Sequence, residues 1–87
     1  MKPCNNVIVT VKFMENEIDM ELPAFLSLGE ICRKLEETFS VMFPERAGTF
    51  EIEALVSNGK RLPNNKNLAS AGIWDGSILN CSLRRGA

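Results

Sequence analysis

The chain has 87 residues and a formal net charge of −1, with ten lysines and arginines against eleven aspartates and glutamates. This length predicts one domain over residues 1–87, with a core from 6 to 83 and flexible ends at 1–5 and 84–87. Because the charges are mixed and nearly balanced, we expect no nucleic-acid partner. No apolar run reaches the roughly 20 residues of a membrane span, so we expect no direct membrane insertion.

The first residues and the cysteines together indicate a reducing compartment. Residues 1–6 lead straight into a strand pattern, without the apolar centre of a signal peptide. Cys4, Cys32 and Cys81 form neither an even set nor a C-x-x-C pair, which is typical of proteins without structural disulfides. We therefore expect a cytoplasmic protein.

Two alternating segments predict a β-hairpin at the start of the chain. The first runs from Asn6 to Phe13 and the second from Glu17 to Leu22, with a turn between them. The apolar positions that share the core side are Val7, Val9, Val11, Phe13, Ile18, Met20 and Leu22. The acidic residues of the second strand are Glu17, Asp19 and Glu21, which we interpret as its solvated side, with contact to a partner or a cation as the alternative. Pro23 ends this strand because it lacks an N–H group.

The segment from Leu26 to Phe39 carries the only long helix signal in the chain. Ser27 and Glu30 have the spacing of a capping box, which marks the start of a helix. The apolar stripe that follows consists of Leu28, Ile31, Leu35 and either Thr38 or Phe39. Residues 40–49 are expected to form a loop, with Val41 or Phe43 packed beneath it.

The segment from Phe50 to Ser57 predicts a third strand with an irregular phase. Simple alternation would leave Leu55 on the side of Glu51 and Glu53, so we expect a β-bulge near Ala54. Asn58-Gly59 is typical of a type I′ turn, which predicts a short fourth strand over Lys60–Leu62.

The last third of the chain predicts a polar loop and a final strand. Leu68 and Ile73 are expected to reach the core from this loop, and Asp75-Gly76 marks a turn. The final strand is predicted from Ser77 to Leu83. Its core side consists of Leu79, Cys81 and Leu83. The tail from residue 84 is expected to be frayed.

The predicted elements follow the order strand, strand, helix, strand, strand. This order predicts an α+β fold, in which a mixed sheet of four to five strands has one amphipathic helix packed on one face. The arrangement resembles the β-grasp fold of ubiquitin. Two blocks follow the ubiquitin spacing without a gap, from Ile18 through the helix to Leu35 and from Leu55 to Leu83. The resemblance therefore covers most of the chain.

Two segments are more similar to the YukD and EsaB family of bacterial ubiquitin-like proteins. In the strand-to-helix junction at 22–28, the aromatic Phe25 follows Pro-Ala, and 73–79 resembles that family's closing turn and last strand. The resemblance implies a non-catalytic, accessory or regulatory component of a type VII (ESX-like) secretion system. It also implies a protein partner within the secretion apparatus.

Residue content gives no catalytic, cofactor-binding or metal-binding site. The chain has no histidine and no tyrosine, and no glycine-rich phosphate loop follows a strand. Cys32 and Cys81 fall on core-facing positions, so we interpret both as small buried hydrophobes, and Cys4 as exposed and incidental.

A ubiquitin-like modifier or sulfur carrier is the alternative from a different class of function. Such a protein uses an exposed Gly-Gly end, whereas this chain ends in Gly86-Ala87, so we expect no conjugation to targets. A third alternative is a ubiquitin-like domain taken from a larger protein.

The candidate protein-binding residues are Ile8, Val56, Ile78, Asn80, Phe25 and Trp74. The first four are expected on the sheet side opposite the helix, which must be either solvated or covered by a partner. For the three aliphatic residues, chance exposure is the competing interpretation. For Trp74, packing in the core or in a turn competes with a place in a contact surface.

Overall fold

The computed structural model of the chain describes residues 6–85. Its elements are β1 (Asn6–Phe13), β2 (Asn16–Pro23), α1 (Leu28–Met42), a short 3-10 helix (Pro44–Arg46), β3 (Phe50–Ser57), β4 (Lys60–Arg61) and β5 (Ile78–Arg85). The strand order across the sheet is β2-β1-β5-β3-β4. Strands β1 and β5 are parallel, and the other neighbours are antiparallel. This mixed sheet with one helix confirms the predicted α+β, ubiquitin-like β-grasp fold.

The first hairpin forms where the alternation predicts it. Its register pairs Val7 with Leu22 and Phe13 with Asn16. The odd-numbered residues of β1 from Val7 to Phe13 are at most 1% exposed. They form the floor of the core, and the even-numbered residues of β1 therefore point to the opposite side of the sheet.

The helix begins as predicted but ends later than predicted. The Ser27 hydroxyl accepts the Glu30 N–H at 3.3 Å, which is the serine half of the capping box. The helix then continues to Met42, so the prediction of a loop over residues 40–42 was wrong. Phe43 explains the extra turn, since its N–H donates to the Phe39 carbonyl at 2.8 Å and its ring packs in the core. Pro44 then disfavours further helix.

Four phenylalanines form an aromatic cluster between the end of the helix and the sheet. Phe13 lies at its centre, with ring centroids 4.4 Å from Phe39, 4.8 Å from Phe50 and 5.6 Å from Phe43. The structure therefore selects Phe39 rather than Thr38 for the helix stripe, and Phe43 rather than Val41 as the loop residue that packs inward.

Strand β3 contains the predicted irregularity. The β3–β5 register shifts between Ile52 and Ala54, and beyond this bulge Leu55 is fully buried. The following turn has φ of 53° at Asn58 and 76° at Gly59, the positive values that a type I′ turn requires.

Strand β5 runs further than predicted. Arg84 and Arg85 were expected in a frayed tail, but Arg84 pairs with Glu51 and Arg85 with Phe50 in the β3–β5 ladder. Ion pairs of Arg84 with Glu51 at 3.6 Å and Glu53 at 3.4 Å accompany this extension. The expectations for residues 1–5, with Cys4, and for Gly86 and Ala87 lie outside the described residues.

The loop between β4 and β5 covers the start of the helix. The N–H groups of Leu28 and Gly29 donate to loop carbonyls at 2.8 and 3.1 Å, which satisfies donors that have no partner inside the helix. Leu68 and Ile73 are 0% and 5% exposed, so both reach the core as predicted.

Candidate protein-binding surface

The sheet side opposite the helix carries a diagonal of three aliphatic residues. Thr10 pairs with Ile78 across β1 and β5, and Asn80 pairs with Val56 across β5 and β3. Ile8 lies two residues from Thr10 on β1, and Ile78 lies two residues from Asn80 on β5, so all these residues share one face. The structure therefore brings Ile8, Ile78 and Val56 together across the three central strands, and we name these three residues the outer patch.

The outer patch is open to solvent. Ile8 is 56% exposed and Ile78 is 49% exposed, while Val56 is half-buried and the adjacent Asn80 is exposed. These exposed fractions are high for large aliphatic side chains that lie near one another on a sheet.

Acidic residues of β2 border one side of the outer patch. Glu21 lies opposite Ile8 in the register, and Asp19 and Glu17 follow along β2. Asp19 accepts the Thr10 hydroxyl at 2.6 Å, and Glu17 lies 3.7 Å from the Lys12 ammonium group. This row is exposed, as the interpretation of a solvated side requires.

An ion-pair network borders the other side. Glu53 lies in the bulge of β3 and reaches Arg61 and Arg84, each at 3.4 Å, and the Ser82 hydroxyl also at 3.4 Å. Exposed pairs of this kind contribute little to stability, typically about 0–1 kcal/mol each. Their effect here is a polar rim beside an apolar centre, the usual anatomy of a protein interface.

Phe25 and Trp74 are exposed aromatic residues in loops at one end of the sheet. Phe25 is 62% exposed and Trp74 is 58% exposed, so Trp74 does not pack in the core, and packing in a turn and a place in a contact surface are the two alternatives that remain. Phe25 follows the end of β2, which pairs with the start of β1, and the loop of Trp74 bonds to Ile8 near that same end. They lie beside the diagonal, not on it.

Asp75 is the residue at this surface that the sequence analysis missed. Its carboxylate accepts the Ile8 N–H at 2.9 Å, and the adjacent Gly76 N–H donates to the Ile8 carbonyl at 2.9 Å. Both backbone groups of Ile8 are therefore fixed by the turn that follows Trp74. Asp-Gly indicated only a turn, because nothing in the local pattern shows which strand that turn will meet.

The described residues offer no metal site. Among residues 6–85, no group of three or more histidine, cysteine, aspartate or glutamate side chains is placed to hold a metal ion. Within the same range, no helix is both long and apolar enough to cross a membrane.

Both described thiols lie against the core. Cys32 is 3% exposed, and Cys81 is half-buried and packs against the core cluster. Burial, with a smaller contribution from the Glu36 carboxylate, raises the pKa of the Cys32 thiol to about 11. Burial, with a smaller contribution from Cys32, raises the pKa of the Cys81 thiol to about 12. Thiols with such pKa values are almost fully protonated at neutral pH.

These pKa values predict slow thiol chemistry in the native state. Raising the pKa of a thiol from 9.0 to about 11, as for Cys32, lowers its thiolate fraction at pH 8 about a hundredfold. Burial further restricts the access of a reagent to the sulfur atom. In a Cys4→Ser variant, which leaves only Cys32 and Cys81, we expect labelling by a thiol reagent to be at least about a hundredfold slower in buffer than in denaturant. Mass spectrometry of timed samples measures both rates, and fast native labelling of either residue would contradict the assignment.

Solved structures with the same fold include domains of secretion proteins. The ubiquitin-like domain of the Mycobacterium tuberculosis type VII secretion system protein EccD1 has a TM-score of 0.68 and 21% identity, covering 90% of this chain and 96% of that chain. The EccD5 ubiquitin-like domain from Mycobacterium xenopi has a TM-score of 0.74 and 16% identity, covering 94% and 98%. At these identities the likeness shows the fold.

A larger protein contains a similar domain. A chain of the ESX-5 inner membrane complex free of MycP5 has a TM-score of 0.75 and 19% identity, covering 97% of this chain and 22% of that chain. This chain thus spans 22% of the length of that protein. Among curated proteins, none matches this chain.

The family comparison covers most of the chain and agrees with the resemblance found in the sequence. Residues 6–80 match the sequence model described as protein YukD of the WXG100 protein secretion system. This match includes both strands of the first hairpin, the helix and the start of β5. The chain therefore belongs to the YukD family of the WXG100 protein secretion system.

Proposed function

We propose that this chain is a non-catalytic protein-binding module that acts as an accessory or regulatory component of a type VII secretion system. The outer patch is its contact surface. The observation that carries the proposal is the aliphatic diagonal of the exposed Ile8 and Ile78 and the half-buried Val56, bordered by polar residues on both sides. Family membership supports the setting in secretion.

The proposed partner is a protein component of the secretion apparatus. The similar EccD1 domain is part of a type VII secretion system protein, and the similar ESX-5 chain is part of an inner membrane complex. We place this module on the cytoplasmic side, which the free thiols of Cys32 and Cys81 support. The alternative is a module within a larger protein, for which the longer ESX-5 chain is the precedent.

The chemistry of the side chains supports binding over catalysis. The sequence lacks histidine, the usual general base near neutral pH. Burial keeps the Cys32 and Cys81 thiols protonated, which suppresses the nucleophilic thiolate form of these two residues.

Recovery of partners from cells that carry the secretion genes tests the contact surface. We expect folded wild type to retain a component of the secretion apparatus, and folded Val56→Asp to retain much less, because a carboxylate would be buried in an apolar contact. Met14→Asp is the matched control, since Met14 is also an exposed apolar residue but lies in the β1–β2 turn. Equal recovery with all three proteins would exclude the outer patch.

We also propose that the chain is not conjugated to targets, because Arg84 and Arg85 are followed by Gly86-Ala87 where a ubiquitin-like modifier has paired glycines. Immunoblots of cells that express an N-terminally tagged copy are expected to show the free protein alone. Reproducible adducts of higher mass that disappear when Gly86 and Ala87 are deleted would support the modifier alternative.

A further inference from the structure

A groove separate from the outer patch lies between the last turns of α1 and the start of β3. Its volume is about 750 Å³, within the usual range for ligand sites. The residues that line it are Glu36, Glu37, Ser40, Val41, Gly48, Phe50 and Glu51. We name it the β3 groove. It lies along the β3 edge of the sheet, next to the helix, and is not used by the proposed function.

The wall formed by β3 is an unpaired strand edge. Strand β4 pairs only with Val56 and Ser57, so among the described residues no strand lies beside the first half of β3 on that edge. Two side chains meet the edge instead. The Glu36 carboxylate accepts the Ile52 N–H at 2.9 Å, and the Asn64 side-chain amide donates to the Glu53 carbonyl at 2.9 Å. The backbone groups on this edge of β3 therefore point toward the groove.

The opposite wall, formed by the helix, exposes one apolar side chain to the groove. Val41 is 80% exposed, although it lies in the last turn of the helix. Phe50, at 8% exposure, lies at the start of β3 and lines the groove beside Val41. These residues offer apolar contact to any chain that pairs with the edge of β3.

The charge of the β3 groove selects for a cation. Three of its lining residues, Glu36, Glu37 and Glu51, are carboxylates, and none of the lining residues is basic. Arg84 lies 3.6 Å from Glu51, whereas the two helix carboxylates, Glu36 and Glu37, have no ion pair among the described residues.

We propose that the β3 groove binds a short extended peptide, which adds to β3 as a strand and carries basic and apolar residues two positions apart, so that both point to the helix side of the sheet. On binding, a peptide carbonyl accepts the hydrogen bond from the Ile52 N–H in place of the Glu36 carboxylate. The released carboxylate then pairs with a lysine or arginine of the peptide. Apolar residues of the peptide pack on Val41 and Phe50. A peptide without a cation would displace the Glu36 carboxylate from the Ile52 N–H and form no ion pair with it. The site therefore favours basic peptides over neutral and acidic ones.

Synthetic peptides added to the ¹⁵N-labelled full chain test this proposal by NMR. The probe is a capped peptide of about seven residues, long enough to span one strand, in which every second residue is in turn valine or lysine and the residues between them are threonine. We expect shifts of the Phe50–Glu53 and Val41 amide signals with this peptide. We expect none with a twin that has glutamate in place of lysine, or with a twin whose alternate backbone nitrogens are methylated, because N-methylation removes the pairing N–H groups.

The conservative variant Glu36→Gln separates the effect of the Glu36 charge from the effect of its hydrogen bond with the Ile52 N–H. Glu36→Gln keeps an oxygen that can accept the Ile52 N–H but removes the charge, so the lysine peptide should bind about threefold to fivefold more weakly. The proposal is overturned if the glutamate twin or the N-methylated twin binds as well as the lysine peptide. It is also overturned if the shifts fall on Ile8, Val56 and Ile78, or if no signal shifts at millimolar peptide.

Discussion

Replacing Phe39 with alanine is expected to lower the free energy of unfolding by about 3–5 kcal/mol, the usual cost of truncating a buried phenylalanine. The Phe39 ring is fully buried and stacks on Phe13 at 4.4 Å, and it also lies 6.3 Å from Phe43. The truncation leaves a cavity between the helix and the sheet and removes the ring that holds Phe43. For a domain whose total stability is about 5–15 kcal/mol, this loss is large.

Urea unfolding followed by circular dichroism measures the effect. Thr38→Ala is the matched control, because Thr38 is exposed and adjacent in the same helix, and its replacement should change the free energy of unfolding by about 0.5 kcal/mol or less. A Phe39→Ala loss no larger than that of the control would show that the aromatic cluster does not stabilise this fold.

Replacing Ile78 with aspartate is expected to act on binding and leave the fold intact. If Ile78 is central to the contact, affinity for the partner recovered from cells should fall by about 1–3 kcal/mol, or roughly fivefold to more than a hundredfold. Ile78 is 49% exposed in wild type, so the effect on unfolding should stay near 1 kcal/mol. Titration of the purified partner measures the affinity, and unfolding curves verify the fold.

Val41→Asp is the control that separates the two surfaces. Val41 is 80% exposed and lines the β3 groove, on the other side of the sheet from Ile78. We expect it to leave affinity at the outer patch unchanged. A partner that is lost with Val41→Asp but kept with Ile78→Asp would place the contact in the groove.

Periodicity in the sequence was sufficient for most of the fold. Alternation over residues 6–13 placed Val7 in the core and Ile8 outside it, because side chains in a strand point to opposite sides in turn. The same rule placed Ile78 outside and Leu79 inside. The bulge in β3 was predictable because one residue, Leu55, conflicted with the alternation around it.

The ends of elements were less predictable, because contacts distant in sequence set them. The helix continues to Met42 because Phe43 joins Phe13 and Phe39, a contact that no local pattern in residues 40–43 indicates. Strand β5 includes Arg84 because the start of β3 pairs with it, with Glu51 opposite Arg84 in the β3–β5 register.

Parts of the candidate surfaces could be predicted from local patterns, and other parts depend on contacts distant in sequence. The outer patch was predictable, since the alternation in each strand and the strand order of the resembled fold bring its three residues together. The hydrogen bond from the Ile8 N–H to the Asp75 carboxylate depends on where a turn meets a strand distant in sequence. The β3 groove depends on how far the helix continues and how short β4 is. Neither follows from the pattern of one segment.

Site-specific photo-crosslinking in cells tests whether the outer patch contacts a component of the secretion apparatus. A photoreactive phenylalanine analogue replaces Ile78 in one strain and Met14 in another, since both side chains are exposed. We expect the Ile78 position to give one main adduct that mass spectrometry identifies as a secretion component, and the Met14 position to give little of it. An equal yield of that adduct from Met14, or none from Ile78 while the protein is folded and abundant, would contradict the account.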